Sequence, residues 1–257
     1  MSETIEQTTQ LEVLHVGGPT LRFRYAGRTF LTDPTFDEPG EYAGRVTLYK
    51  LTGPAVSAAE VGPVDIVLLS HDEHADNLDN SGREFLRTVP TVLSTPGAGE
   101  RINGVRGLAN WETVTIDGIE VTAVPALHGP EGCESVTGVV TGFVLRAPGE
   151  PTVYVSGDNA SVDRVRQIVE RFGRIDIAIL FVGAANVGAF GDVDVTLNAR
   201  TAVEAAQVLG DDTAIVPVHG DGWLHFSETL DRLAKVFENA GRAGQLRTPP
   251  LGKAVTV

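Results

Sequence analysis

The chain has 257 residues, 42% of them hydrophobic and 21% charged, which is enough apolar material for a sizeable core and too little charge for a disordered chain. A net charge of −14 argues against nucleic acid, which is gripped by Lys and Arg neutralising phosphates, and equally against an anionic membrane surface. The single cysteine, Cys133, excludes an internal disulfide, and no apolar run approaches the ~20 residues that cross a bilayer. The opening MSETIEQTTQ has no basic stretch followed by an apolar one, so the expected location is the cytoplasm.

In chain order, the first half reads as strands and turns. LEVLHVG (11–17), TLRFRYAG (20–27) and RTFLTD (28–33) are short β-rich runs broken by Gly and Pro, and they predict an antiparallel meander. VDIVLLS (64–70) is a continuous apolar run, as expected of a strand covered on both faces. SGREFLRTV (81–89) has helical spacing, TVLST (91–95) reads as a strand, and ETVTIDGIEVTAVPA (112–126) as a hairpin turning at Asp117-Gly118. The second half alternates. Strands at 141–147, 152–158, 175–183 and 213–220 are interleaved with helices at 161–173, 196–210 and 227–241; Ser161 is the expected N-cap of the first helix and Gly210 the stop of the second. The pattern predicts a layered α/β domain over 11–257 with a mixed sheet or two sheets, preceded by a loose tail over 1–10.

Polar residues just past the carboxyl ends of strands are where α/β folds place their sites. Four segments fit: 69-LSHDEHADNLD-79, 124-VPALHGP-130, 153-VYVSGDNA-160 and 215-IVPVHGDGWLHF-226. Five of the six histidines lie in three of them, so imidazole and carboxylate are delivered together, which is what a divalent metal site requires. Taken singly, each segment has a plainer reading: a solvated loop, a buried structural histidine, or a turn-forming Asp-Gly pair.

The order of these segments, with 17-GGPT-20 and 32-TDPTF-36 ahead of them, resembles the metallo-β-lactamase superfamily and, within it, the ascorbate-phosphate lactonase-like branch of metal-dependent hydrolases. The resemblance runs through residues 11–226 and implies a four-layer αββα sandwich binding one or two divalent ions, zinc or manganese foremost and iron as an alternative. The family's His-x-His-x-Asp-His signature is altered here. An ungapped register puts Asp72, His74, Asp76 and Asn77 on its positions; a register with one inserted residue puts His71 on the first. The ungapped register is preferred, since it also keeps the Leu78-Asp79 that follows; residues two apart after a strand can point the same way, so Asp72 and His74 could then share one ion. The resemblance then implies Asp72, His74 and His128 at a first ion, Asp76, Asn77 and His219 at a second, and Asp158 bridging them. His71 is the alternative ligand. Replacing two histidines by Asp and Asn shifts the donors toward oxygen, which favours manganese or iron.

A bound divalent ion lowers the pKa of water from ~15.7 to about 7, and by analogy Asp76, with Asp158, would orient that water. The implied activity is hydrolysis of a small ester-like molecule: a lactone, a carboxyl ester or a phosphodiester. Two other classes stay open, a mononuclear-iron oxidoreductase or dioxygenase on the same fold and a binding protein without catalysis. Trp223 and His225 are either substrate contacts or, for Trp223, a core anchor; Asp33 is either a turn residue or a group that supports the ligands from behind, with substrate contact as a further reading. The expected partners are a small molecule and further copies of the chain, with neither nucleic acid nor membrane among them.

Overall fold

A computed structural model describes residues 10–257, so the tail expected over 1–10 lies, but for Gln10, outside the described residues. The predicted meander is β1 (Glu12–Gly17), β2 (Thr20–Tyr25) and β3 (Arg28–Thr32), all antiparallel. A small hairpin follows, β4 (Gly40–Tyr42) and β5 (Leu48–Lys50), then α1 (Ala58–Val61), β6 (Ile66–Leu68), α2 (Asn80–Leu86), β7 (Thr91–Ser94), α3 (Pro96–Arg101) and β8 (Val105–Gly107). The second half contains β9 (Thr113–Ile116), β10 (Ile119–Pro125), α4 (Glu134–Thr137), β11 (Thr141–Arg146), β12 (Val153–Val155), α5 (Val162–Phe172), β13 (Ile177–Phe181), α6 (Ala199–Leu209), β14 (Ala214–Val218), α7 (Leu230–Asn239) and β15 (Ala254–Thr256).

Two mixed sheets result, one ordered β15-β1-β2-β3-β6-β7-β8 and the other β14-β13-β12-β11-β10-β9. Alternation along the strands assigns their faces. Phe23, Phe30, Ile66 and Leu68 of the first sheet meet Val121, Phe143, Val155 and Phe181 of the second in a buried inter-sheet core. The opposite face of the first sheet, with Leu31, Val67 and Val92, is covered by Val61 and Leu86 of α1 and α2. The opposite face of the second, with Tyr154, Ala178 and Ile215, is covered by α5, α6 and α7 through Ile168, Ala202 and Phe237. The order is therefore helices, sheet, sheet, helices, the αββα sandwich that the resemblance implied.

Local signals explain the boundaries. Asp117 and Gly118 both have positive φ, so the β9–β10 turn has the twist that a tight hairpin needs, and Ile116 pairs with Ile119 across it. Ser161 caps α5 by accepting from the Arg164 N–H. α6 starts later than its apolar pattern suggests, because Asn198 takes the cap and exchanges hydrogen bonds with Thr201, while Thr196 accepts from the Ala185 N–H instead. The β4–β5 hairpin and β15 were not anticipated. β15 is a three-residue edge strand on β1, and 40–50 lacks the period-two alternation that marks a strand.

Candidate metal centre

Every candidate ligand follows the carboxyl end of a strand: residues 71–77 follow β6, His128 follows β10, Asp158 follows β12 and His219 follows β14. Close backbone approach brings these ends together. Gly157 has φ +58, and a Cβ there would stand 2.5 Å from the Thr141 carbonyl oxygen and 2.9 Å from Ser70 Cβ, so only glycine lets Asp158 come this near the 70–77 loop. His219 itself has φ +60, a strained setting for a residue with a side chain, and its N–H donates to the Gly18 carbonyl at 2.7 Å.

Two groups of donor atoms converge and share Asp158. The first is His71, His74, His128 and Asp158; the second is Asp76, Asp158 and His219. In the first, His74 Nδ1 lies 2.8 Å from His71 Nε2 and 3.2 Å from His128 Nε2, and His128 Nε2 lies 3.5 Å from Asp158 Oδ2. In the second, His219 Nε2 lies 3.3 Å from Asp76 Oδ2 and 3.6 Å from Asp158 Oδ1. Donors held roughly 2.0–2.2 Å from one ion stand roughly 3–4 Å apart, which is the spacing seen.

Protons follow from the outer partners. His128 Nδ1 lies 2.7 Å from the Val195 carbonyl, which can only accept, so that nitrogen holds the hydrogen and Nε2 carries a lone pair. Asp33 takes the Ser70 hydroxyl proton at 2.6 Å, leaving the Ser70 oxygen to accept from His71 Nδ1 at 3.0 Å and His71 Nε2 bare. Two lone pairs thus face one another around His74. A single proton on His74 cannot satisfy both; a cation can. Burial, reinforced by the neighbouring His74 and His128, holds His71 well below the usual imidazole range, and burial lowers His128, keeping both in the neutral form that ligates. Burial alone would lower His219 too, but Asp158 and Asp76 outweigh it and leave it raised. Asp76 is held well below the usual carboxylate range, against its burial, by His225 and His219. Asp76 Oδ1, Asp158 Oδ2 and both ring nitrogens of His219 are buried without a hydrogen-bond partner. Orphaned polar atoms clustered at one point are expensive unless something charged joins them, so the residues present fit a divalent ion.

Three sequence-based expectations, those for Asp72, Asp33 and Trp223, need correction. Asp72 does not join the first group: its carboxylate is clamped by the Arg101 guanidinium, with Nε 3.0 and 3.1 Å from its two oxygens, and His71 takes the place instead. The register with one inserted residue is the one the fold adopts. Asn77 keeps its carbonyl oxygen buried and without a hydrogen-bond partner, free to face an ion. Its amide N–H groups donate to Asp158 Oδ1 and Asp33 Oδ2, both at 3.0 Å, since carboxylate oxygens only accept. Asp33 is fully buried and so cannot touch substrate; it supports His71 through Ser70 and Asp158 through Asn77, and burial pushes its carboxyl up to about 7. Trp223 is a core anchor rather than a pocket wall: it is 3% exposed, beside Tyr42 and under the Lys50 ammonium. Lys50 and Asp79 form a buried ion pair of 2.8 Å that ties the β4–β5 hairpin to the N-cap of α2.

The centre opens on a cavity of about 750 Å³. His74, Asp76, His128 and His225 reach its wall, and Val46, Leu48, Val136 and Val187 make much of the rest. The residues with no sequence signal are those of the β4–β5 hairpin, including Arg45, the sole Lys or Arg among the described residues of the lining, which donates to the Ser135 carbonyl at 3.3 Å.

This fold and centre define a class, and the comparisons agree with it. The family model described as the Beta-lactamase superfamily domain matches residues 28–219, and the chain belongs to that family. Among its relatives, a UPF0173 metal-dependent hydrolase of Methanoculleus marisnigri is 31% identical over 183 residues, 68% of this chain and 74% of that one. Another of that name from Pyrococcus furiosus is 26% identical over 202 residues, 76% of this chain and 84% of the relative. Among solved structures, an isothiocyanate hydrolase from Delia radicum gut bacteria superposes with a TM-score of 0.82 at 20% identity, covering 95% of this chain and 98% of that one. A possible metal-dependent hydrolase from Veillonella parvula gives 0.80 at 19%, covering 96% and 99%. At these identities the structures share the fold with this chain.

Proposed function

We propose that this chain is a metal-dependent hydrolase acting on a small ester-like substrate, a lactone or other carboxyl ester in preference to a phosphodiester. One observation carries the reading: two donor groups sharing Asp158 converge at the wall of a cavity large enough for a small molecule. The names of the M. marisnigri and P. furiosus relatives support the activity class.

His71, His74, His128 and Asp158 would hold the first ion, and Asp76, Asp158 and His219 the second. Bound there, a divalent ion supplies a Lewis acid and water of lowered pKa. The chain's own residues do the rest. Ser70 and Val195 fix the protons of His71 and His128 so that their Nε2 lone pairs point inward. Asp76 Oδ1, which has no partner, is the acceptor assigned to orienting the attacking water. The apolar wall from Val46 to Val187 excludes bulk water from the ester. Three imidazoles suit zinc at the first position, whereas two carboxylates and one imidazole suit manganese or iron at the second. Arg45 is the sole Lys or Arg among the described residues of the lining and already donates to the Ser135 carbonyl, so the largely apolar wall favours an uncharged ester over an anionic phosphodiester.

The test is elemental analysis of the purified chain followed by a hydrolysis screen of lactones, carboxyl esters and phosphodiesters, before and after chelation. Turnover of a lactone or carboxyl ester, lost on chelation and restored by zinc or manganese, is expected. Turnover of phosphodiesters alone would overturn the substrate class, and oxygen uptake by iron-loaded protein without hydrolysis would overturn the reaction class.

A further inference from the structure

We propose that His225 governs occupancy of the second cation position by donating a hydrogen bond to Asp76. The inference rests on the metal-centre reading above.

The two positions are unequally furnished. The first has four His or Asp donors, three of them imidazoles, whereas the second has three. A three-donor site depends more on how well each donor is aimed. The supporting groups show how aiming is done here: Ser70 backs His71, the Val195 carbonyl backs His128, and Asn77 backs Asp158. Asp76 has one such support. His225 Nε2 stands 2.9 Å from Asp76 Oδ2, the oxygen that also faces His219 Nε2 at 3.3 Å, while Oδ1 has no partner. The carboxylate oxygen can only accept, so the ring proton lies on Nε2 and points at Asp76.

His225 is also built to stay there. Its carbonyl accepts from the Asn186 N–H at 2.9 Å, and the next residue, Phe226, bridges to Ala185. The loop that carries it is fastened to the β4–β5 hairpin, with the Leu51 N–H donating to the Gly222 carbonyl at 2.7 Å and the Leu224 N–H to the Tyr49 carbonyl at 3.0 Å. The ring lies edge-on to Trp223 and Phe226, with centroids 6.1 and 4.6 Å away. A fixed donor on a metal-binding carboxylate raises affinity at that site and leaves the other alone. His225 is therefore a positioning residue acting through Asp76. Of the supporting groups backing a ligand side chain, it is also one that lines the cavity, so the same contact ties the second position to the substrate's side of the site.

The experiment is a calorimetric titration of the chelator-stripped full chain with Mn²⁺, paired with electron paramagnetic resonance to separate lone from paired ions. Wild type, His225→Phe and His225→Gln are compared. Wild type is expected to take up two ions. His225→Phe should weaken the second by about 10- to 100-fold, the usual loss for removing such a support. The first should bind unchanged, which also shows that the variant is folded. His225→Gln keeps an N–H in reach of Asp76 and should restore the second ion to near wild-type affinity. Two ions bound by His225→Phe as by wild type would overturn the inference while leaving the metal centre standing. A His225→Gln as weak as His225→Phe would overturn it too, by making the ring nitrogen a ligand. Wild-type protein that binds no Mn²⁺ or any other divalent ion would take down the metal-centre reading itself.

Discussion

The two halves of the centre both draw on the loop after β6 and share Asp158, and they differ in what stands behind them. Around His71, His74 and His128 the donors are mainly nitrogens, two of them with protons fixed by a hydroxyl or carbonyl partner. Around Asp76 and His219 the His and Asp donors are fewer, both His219 nitrogens and Asp76 Oδ1 are unpartnered, and Asn77 donates to the shared Asp158. A complete, pre-aimed set favours a retained ion, and an incomplete set leaves open positions where a water and a substrate oxygen can bind. On the proposed reading, the first position would retain its ion and the second would exchange it.

Variants sharpen that contrast. Asp158 serves both groups, so Asp158→Asn should have the largest effect, with loss of both ions by elemental analysis and of all metal-dependent hydrolysis. His128→Ala should remove the first ion and lower turnover by more than about 100-fold, since loss of a supporting group alone costs about 10- to 100-fold. Asn77→Ala deletes the bridge between Asp33 and Asp158 while leaving every His and Asp donor in place, and should weaken metal binding by about 10-fold in a competition titration. Arg101→Gln should have the smallest effect. Its side chain is 46% exposed, so solvent screens the pair with Asp72, and a denaturant melt should show a loss of about 1 kcal/mol with metal content unchanged. Should Asn77→Ala lose more metal than His128→Ala, the ranking of the two halves would be wrong.

Much of this centre was legible in the chain. The four polar bursts after apolar runs mark the strand ends that meet, and Gly157 and His219 sit in them because those ends approach closely. The choice between Asp72 and His71 was not legible. The alternation that favoured Asp72 holds only while a strand continues, but β6 ends at Leu68, and residues 71–78 form a turn in which the Asn77 and Leu78 N–H groups donate back to the His74 carbonyl. Asp72 is then claimed by Arg101, 29 positions away, a pairing that no local pattern encodes. Asp33 shows the same limit. Its motif stands out in sequence, but its role depends on Ser70 and Asn77, which folding alone brings to it. The cavity wall from the β4–β5 hairpin was invisible because its strands are three residues long and it carries no regular apolar spacing.

The most direct test of the whole account is the metal content of His71→Ala and Asp72→Asn, measured side by side with wild type after reloading. Asp72→Asn should match wild type, and His71→Ala should lose the first ion. The opposite pattern, with His71→Ala fully loaded and Asp72→Asn stripped, would contradict the centre described here.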